Sequence, residues 1–125
     1  MADQRIAWAK EIAQHDPIQE GEPFRQRFVH HSDRTSTAVT SIAAGQGIRL
    51  HIHRDHDEVV MVAEGELEFR IEGETTTLGA GVVVSVPAGV VHAPAHTREG
   101  CVVVSVFAPR FDPTKPDRHF IDDPS

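Results

Sequence analysis

Apolar and polar residues alternate in short segments over most of the chain, between residues 24 and 108. In the clearest segment, Leu67, Phe69 and Ile71 point one way and charged residues point the other. Glycine and proline separate the segments and predict an antiparallel β-sandwich or barrel. The predicted strands are Phe24–His31, Ser36–Ala43, Ile48–His53, Glu58–Ala63, Glu66–Ile71, Glu74–Leu78, Val82–Val86, Val90–Ala95 and Cys101–Ala108.

Two turns and two apolar strands refine this prediction. Glu72-Gly73 predicts a tight hairpin, and the glycines of Gly79-Ala-Gly81 predict a second reversal. Val82–Val86 and Val102–Val106 are apolar on both faces, so we expect them to be covered on both sides.

The two ends of the chain follow other patterns. Residues 3–15 predict a short amphipathic helix, with Asp3 as its cap, Ile6, Trp8 and Ile12 on its apolar side, and Asp16-Pro17 as its stop. Such a short helix must pack on the body or on a partner subunit. Residues 110–125 are rich in proline and aspartate and predict an extended tail over the body. Its candidate anchors are Phe111, Phe120 and Ile121.

Length and charge narrow the functional classes. A chain of 125 residues predicts one domain, with a helix and arm at 1–22, a barrel at 23–109 and the tail at 110–125. Twelve Lys and Arg against 19 Asp and Glu give a net charge of −7, which argues against nucleic-acid binding. No apolar run suggests a membrane span or a signal peptide. The single cysteine, Cys101, fits a reducing cytoplasm and is expected to pack as a small apolar group.

Four residues have the spacing of metal ligands. His51 and His53 are two apart on a predicted strand and therefore share a face, and Glu58 follows across a short turn. His92 follows a Pro-Ala-Gly turn, so the set can meet only inside a nearly closed sheet. Three imidazoles and one carboxylate leave coordination positions free for water or substrate. Asp57 is an alternative to Glu58. His56 is expected at the solvated rim.

The same residues resemble a known family. Gly45-x5-His51-x-His53-x4-Glu58-x6-Gly65 and Gly81-x5-Pro87-x-Gly89-x2-His92 resemble the two conserved motifs of the cupins, and the resemblance extends from Gly45 to His96. It implies a small jelly-roll barrel that holds one divalent Fe, Mn, Ni or Zn ion at His51, His53, Glu58 and His92. It also implies a homodimer.

The resemblance says less about the reaction. Cupins include dioxygenases, isomerases and lyases, so it implies an enzyme acting on a small oxygen-rich molecule, by dioxygenase-type oxidation or by metal-assisted isomerase or lyase chemistry. A small-ligand-binding or sensory module, in which the metal is partly structural, is the alternative. The chain has no tyrosine, which disfavours the cupin thiol dioxygenases with a Cys–Tyr crosslink and the related sugar-nucleotide epimerases.

The motif departs from the family pattern at His96, where cupins usually have asparagine. By strand parity His92, Pro94 and His96 face the same way, so His96 is a candidate cavity residue that carries a proton or binds substrate. The alternative is a histidine satisfied by water at the barrel mouth. Glu58, released from the metal, is the other candidate proton carrier.

Several other polar side chains are candidates for lining the cavity. Parity turns either His30 or His31 inward, and we expect it to be a satisfied core or surface histidine. The side chains of Arg27, Arg49 and Arg70 would bind an anionic substrate if they faced inward, but arginines on strand edges usually face solvent.

Overall fold

The fold is a curled antiparallel β-sheet with one short helix, as the sequence predicts. A computed structural model describes residues 6–112 and 114–121. Within these ranges the elements are α1 (Ala9–His15), β1 (Phe24–His31), β2 (Ser36–Ile42), β3 (His51–Ile52), β4 (Asp57–Ile71), β5 (Glu74–Gly79), β6 (Val83–Val86), β7 (His92–His96), β8 (Cys101–Ala108) and β9 (His119–Phe120).

Strand β4 joins the two halves of the sheet. Its first half pairs with β8 and β6, and its second half pairs with β5 and β7. The sequence predicts two strands here, but they are one continuous strand that bends at Gly65. Gly65 has φ +85°, and a β-carbon there would collide with the carbonyl oxygen of Gly100. Only glycine therefore allows β4 to bend this close to the turn that precedes β8.

The core lies between the two halves. Along β8, the alternate residues Cys101, Val103, Ser105 and Phe107 are buried. Cys101 packs within the apolar cluster, as predicted. On β4, Leu67 and other inward residues close the core from the opposite half. The period-two pattern of the sequence thus marks the face that is buried.

The N-terminal helix is shorter than predicted. It begins at Ala9, and Ile6 and Trp8 precede it with 69% of each residue exposed. Trp8 occupies the N-cap without a side-chain hydrogen bond, so no capping oxygen supports an earlier start. The predicted cap, Asp3, lies outside the described residues. The helix ends at His15, before Asp16-Pro17, and lies against β2, β8 and β4.

The prediction that both apolar strands are covered on both sides is wrong for the segment that contains β6. This strand pairs only with β4, and Val82 and Val83 are 40% and 59% exposed. Val59 and Met61 of β4 are also exposed beside it. An apolar pattern records which faces avoid water but not which element covers them, and no part of the described chain covers this outer face.

The tail crosses the end of the barrel and adds a strand that the sequence did not predict. Its segment β9 pairs with β3, and the Ile121 amide donates to the Leu50 carbonyl at 3.0 Å. The Phe111 ring stacks on Phe107 with a centroid separation of 4.4 Å. Phe120 is 49% exposed, so it does not anchor the tail by burial.

Within the described residues, no helix is long and apolar enough to cross a membrane.

Candidate metal centre

Three histidines converge at one end of the space between the two halves of the sheet. His51 lies on β3 directly opposite His92 on β7, and His53 is the first residue after β3. Their candidate ligand nitrogens all lie within 4.8 Å of one another, and each residue is at most 3% exposed. The arrangement could hold a metal ion.

Backbone carbonyls orient all three imidazoles in the same way. Because a carbonyl only accepts, each Nδ1 carries the proton, and Nε2 of the neutral ring presents a lone pair. Metal-binding histidines are commonly oriented through such a bond from the other ring nitrogen. The acceptors for His51, His53 and His92 are the carbonyls of Arg49, Asp117 and Val90, at 2.6, 2.6 and 2.9 Å.

Glu58 places a carboxylate against two of these rings. Its Oε1 lies 3.3 Å from Nε2 of His53 and 3.2 Å from Nε2 of His92. With Nδ1 protonated, a neutral ring would direct a lone pair at this oxygen, so a proton or a metal cation is needed between them. Asp57 points elsewhere, and its carboxylate accepts from the Ala88 amide at 2.8 Å. The donor set of three nitrogens and one oxygen therefore suits a divalent transition metal.

The protonation states of the site favour a cation. Burial lowers the pKa of His51 to about 4, with smaller contributions from the neighbouring His92 and His53, so this ring is neutral near pH 7. Burial raises the pKa of Glu58, but the electrostatic interaction of its carboxylate with the adjacent His53 and His92 rings outweighs this effect and lowers the pKa overall. Metal binding requires neutral imidazole and ionised carboxylate, which are the forms that His51 and Glu58 take.

The four residues line a small cavity. Its walls include apolar groups such as Val60, Phe69 and Phe107, and its polar lining includes Gln26 and Arg118. The cavity volume is about 30 Å³. The site therefore combines candidate ligands, a largely apolar wall and one arginine.

His96 does not line this cavity, so its expected inward orientation is wrong. Glu68 pairs with His96 while the next residue, Phe69, pairs with Pro94, so a bulge at this point inserts an extra residue on β7. The bulge reverses the parity after Pro94. The His96 side chain is 46% exposed, and its Nδ1 lies 3.0 Å from the Glu68 carboxylate on the outer face.

His56 is buried rather than solvated at the rim, which corrects the sequence expectation. It is 8% exposed, and its Nδ1 lies 2.6 Å from the carboxylate of Asp117. Burial raises the pKa of Asp117, but bonds from His56 and from the amides of Asp55 and Arg54 outweigh it and lower the pKa overall. Sequence reasoning missed Asp117, because nothing in its pattern separates it from the other aspartates of the tail.

The remaining candidates lie away from the cavity. His30 has a buried Nε2 without a hydrogen-bond partner, so the expectation of a satisfied histidine is wrong there. The Nδ1 of His31 lies 2.8 Å from Ser36 Oγ. Arg27 is neither inward nor in solvent, since its side chain is 9% exposed and bonds to Asp16.

The arginine that lines the cavity was not among the arginines that the sequence indicated as candidates. Arg49 is exposed and lies over the Phe120 ring, and Arg70 lines a separate surface pocket. Arg118, in the tail, is the arginine that lines the cavity.

Comparisons with known proteins support the fold and the type of site. The sequence profile of the Cupin domain family matches residues 38–107. The pectin degradation protein KdgF of Dickeya dadantii is 28% identical over 90 residues, which is 72% of this chain and 82% of that protein. Quercetin 2,3-dioxygenase of Bacillus subtilis is 37% identical over 61 residues, which is 49% of this chain but 18% of the dioxygenase.

Two further comparisons concern the length of a relative and the superposition of a solved structure. The chain spans about half (51%) of an uncharacterized Aquifex aeolicus protein to which it is 36% identical over 62 residues, half of this chain. The structure of KdgF from a Halomonas species superposes with a TM-score of 0.70 at 27% identity, covering 78% of this chain and 91% of that one.

Proposed function

This chain belongs to the cupin family, and on that premise we propose that it is a metal-dependent enzyme acting on a small, oxygen-rich organic molecule. The observation that carries the proposal is the convergence of His51, His53 and His92, with each Nδ1 bonded to a carbonyl and the candidate ligand nitrogens within 4.8 Å of one another. Such preorganised imidazoles, in a lined cavity, are more than a structural staple requires.

The proposed ligands of one divalent Fe, Mn, Ni or Zn ion are the three histidines and Glu58. Glu58 supplies the negative charge that the donor set otherwise lacks, and it lies within 3.3 Å of two of the ring nitrogens. When bound, such an ion polarises a substrate oxygen or, in the case of iron, supports oxygen chemistry.

The residues around the site have separate tasks in this proposal. Glu58 lines the cavity, and its carboxylate, when released from the metal, is the candidate acceptor of a substrate proton. Phe69 and Phe107 provide apolar walls that exclude water from the reacting group. His96 takes no part, because its side chain lies on the outer face.

The relatives suggest which substrates to test. Similarity to the pectin degradation protein extends over most of that protein, so products of pectin breakdown are the first candidates. Oxidation of a flavonol is the second candidate, because the match to quercetin 2,3-dioxygenase covers 49% of this chain at 37% identity.

The decisive experiment combines metal analysis with turnover. Protein purified without metal-affinity resin should hold about one equivalent of a transition metal. Separate Fe-, Mn-, Ni- and Zn-loaded samples are then assayed with pectin digests and, for oxygen uptake, with flavonols. Metal-dependent turnover of either substrate class supports the proposal. Metal and ligand binding without any turnover would instead identify a binding or sensory module.

We also propose that the chain forms a homodimer through its outer apolar face. Val59, Met61 and Val83 are all at least 37% exposed, and Met61 pairs directly with Val83 across β4 and β6. Exposed apolar residues gathered in one patch commonly mark an interface. Light scattering should give twice the 13.8 kDa chain mass, and Val83→Asp should give the monomer mass.

A further inference from the structure

We propose that Arg118 and Gln26 form a carboxylate-binding subsite in the metal cavity, so that the ligand is a small hydroxy or oxo acid. The inference deepens the proposed function and relies on it for the metal that would bind the second oxygen. The subsite itself rests on Arg118, whose position does not depend on a metal.

The guanidinium of Arg118 lines the cavity with hydrogen-bonding capacity unused. Its Nε is buried and has no hydrogen-bond partner, and its Nη2 donates to Gln26 Oε1 at 3.3 Å. Within residues 6–112 and 114–121, no carboxylate forms an ion pair with it. A buried N–H donor without an acceptor is costly, and a carboxylate is the acceptor that matches a guanidinium with two parallel bonds.

The subsite is built rather than incidental. Gln26 lies on β1 and its Nε2 donates to Thr40 Oγ1 on β2 at 3.4 Å, which directs its Oε1 towards Arg118. The Arg118 guanidinium also lies 5.9 Å from the centroid of the Phe24 ring. Both sheet residues hold the guanidinium in place, and the buried Asp117 fixes the tail immediately before it.

The charge of the cavity favours an anion. Arg118 contributes +1 and Glu58 contributes −1, so a divalent ion at the histidines would bring the total to about +2. A monocarboxylate with a neighbouring hydroxyl or carbonyl oxygen would reduce this charge and satisfy both ends of the cavity. A neutral polyol would leave the guanidinium Nε without a charged acceptor.

The test compares an acid with its uncharged isostere. Glycolate and glycolamide are titrated by NMR into Zn-loaded protein and into chelator-treated protein. The variants are Arg118→Gln, Gln26→Glu, which places a competing carboxylate beside the guanidinium, and Arg34→Gln as control. Arg34 is an exposed arginine in the β1–β2 loop, away from the cavity. Zinc content and melting temperature are measured for every sample.

Wild type and Arg34→Gln should bind glycolate at least about tenfold more tightly than glycolamide, with a weaker preference in the same direction without zinc. Both cavity variants should lose that preference while they retain zinc. Gln26→Glu leaves the tail sequence unchanged, so it still tests the subsite if the Arg118→Gln protein is unstable.

Two outcomes would overturn the subsite. One is a folded, zinc-loaded Arg118→Gln protein that keeps the wild-type preference, and the other is a wild type that shows none. Failure of the proposed metal site looks different: wild type would retain no zinc, yet the Arg118-dependent preference would persist in metal-free protein.

Discussion

Two segments of the chain meet at the cavity, and they differ in how their residues are positioned. Residues 51–92 supply the candidate metal ligands from strands, where spacing decides which side chains share a face. Residues 109–121 supply Asp117 and Arg118 from a tail with one two-residue strand. The positions of the strand residues therefore follow from local periodicity, whereas the positions of the tail residues depend on long-range contacts.

The largest expected effect is on metal affinity, and it distinguishes the two histidines of β7, His92 and His96. His92→Ala should lower metal affinity at least 100-fold, because it removes a converging ring nitrogen. His96→Ala, on the same strand but on the outer face, should leave metal content unchanged. Metal analysis after dialysis against a weak chelator measures both. Equal losses in the two variants would contradict the assignment of the ligands.

The next effect tests whether the tail supports the ligands. Asp117→Asn removes the charge that accepts from His56 and two amides, so the free energy of unfolding should fall by about 2 kcal/mol. Metal affinity should fall about tenfold, because the Asp117 carboxylate fixes the position of its own backbone carbonyl, which orients His53.

The matched control for the tail variant is Asp112→Asn. Asp112 is an exposed aspartate of the same tail, and its carboxylate accepts hydrogen bonds from Thr114. Urea unfolding and metal competition compare the two variants. A fully stable Asp117→Asn protein with normal metal affinity would show that the tail does not position the site.

The pH dependence of the metal-free protein tests the electrostatics of the strand segment. The folded pKa of His51 is about 4, below its usual 6.5, so the unfolded chain binds the extra proton first as pH falls. The free energy of unfolding should therefore decrease from pH 6.5 to about 4, by on the order of 3 kcal/mol, and the His51 contribution should then level off.

His51→Gln should flatten this part of the stability profile, whereas His96→Gln should leave it unchanged. Urea unfolding at a series of pH values, with a chelator present, gives the slopes. A wild-type stability that rises as pH falls from 6.5 to 4 would contradict the proposed burial of a neutral ring.

The smallest expected effect is on stability, and it distinguishes two phenylalanines of the tail, Phe111 and Phe120. Phe111 stacks on Phe107 and also lies near His53 and His56, so Phe111→Ala should cost about 1–2 kcal/mol of stability. Phe120 is 49% exposed, so Phe120→Ala should cost less than about 1 kcal/mol. Thermal unfolding of the two variants measures the difference, and the reverse order would contradict the packing of the tail.

The strands were predictable because half-buried sheets require alternation. The bounds of β1 and β8 agree with the sequence prediction, and the fold class follows from the turns between strands. His96 shows where this reasoning ends. A single bulge reverses strand parity, and a bulge depends on pairing between Glu68 and a residue 28 positions away, which no local pattern records.

The sequence by itself determined the antiparallel sheet, its inward faces and the candidate ligands His51, His53 and His92, because side-chain direction on a strand repeats every two residues. Only the tertiary structure decided that His96 faces outward, that the Asp117 carbonyl accepts a hydrogen bond from His53, and that Arg118 lines the cavity. Tail residues are positioned by their partners and not by a repeat, so their roles emerge only when His53, His56 and Gln26 are already in place.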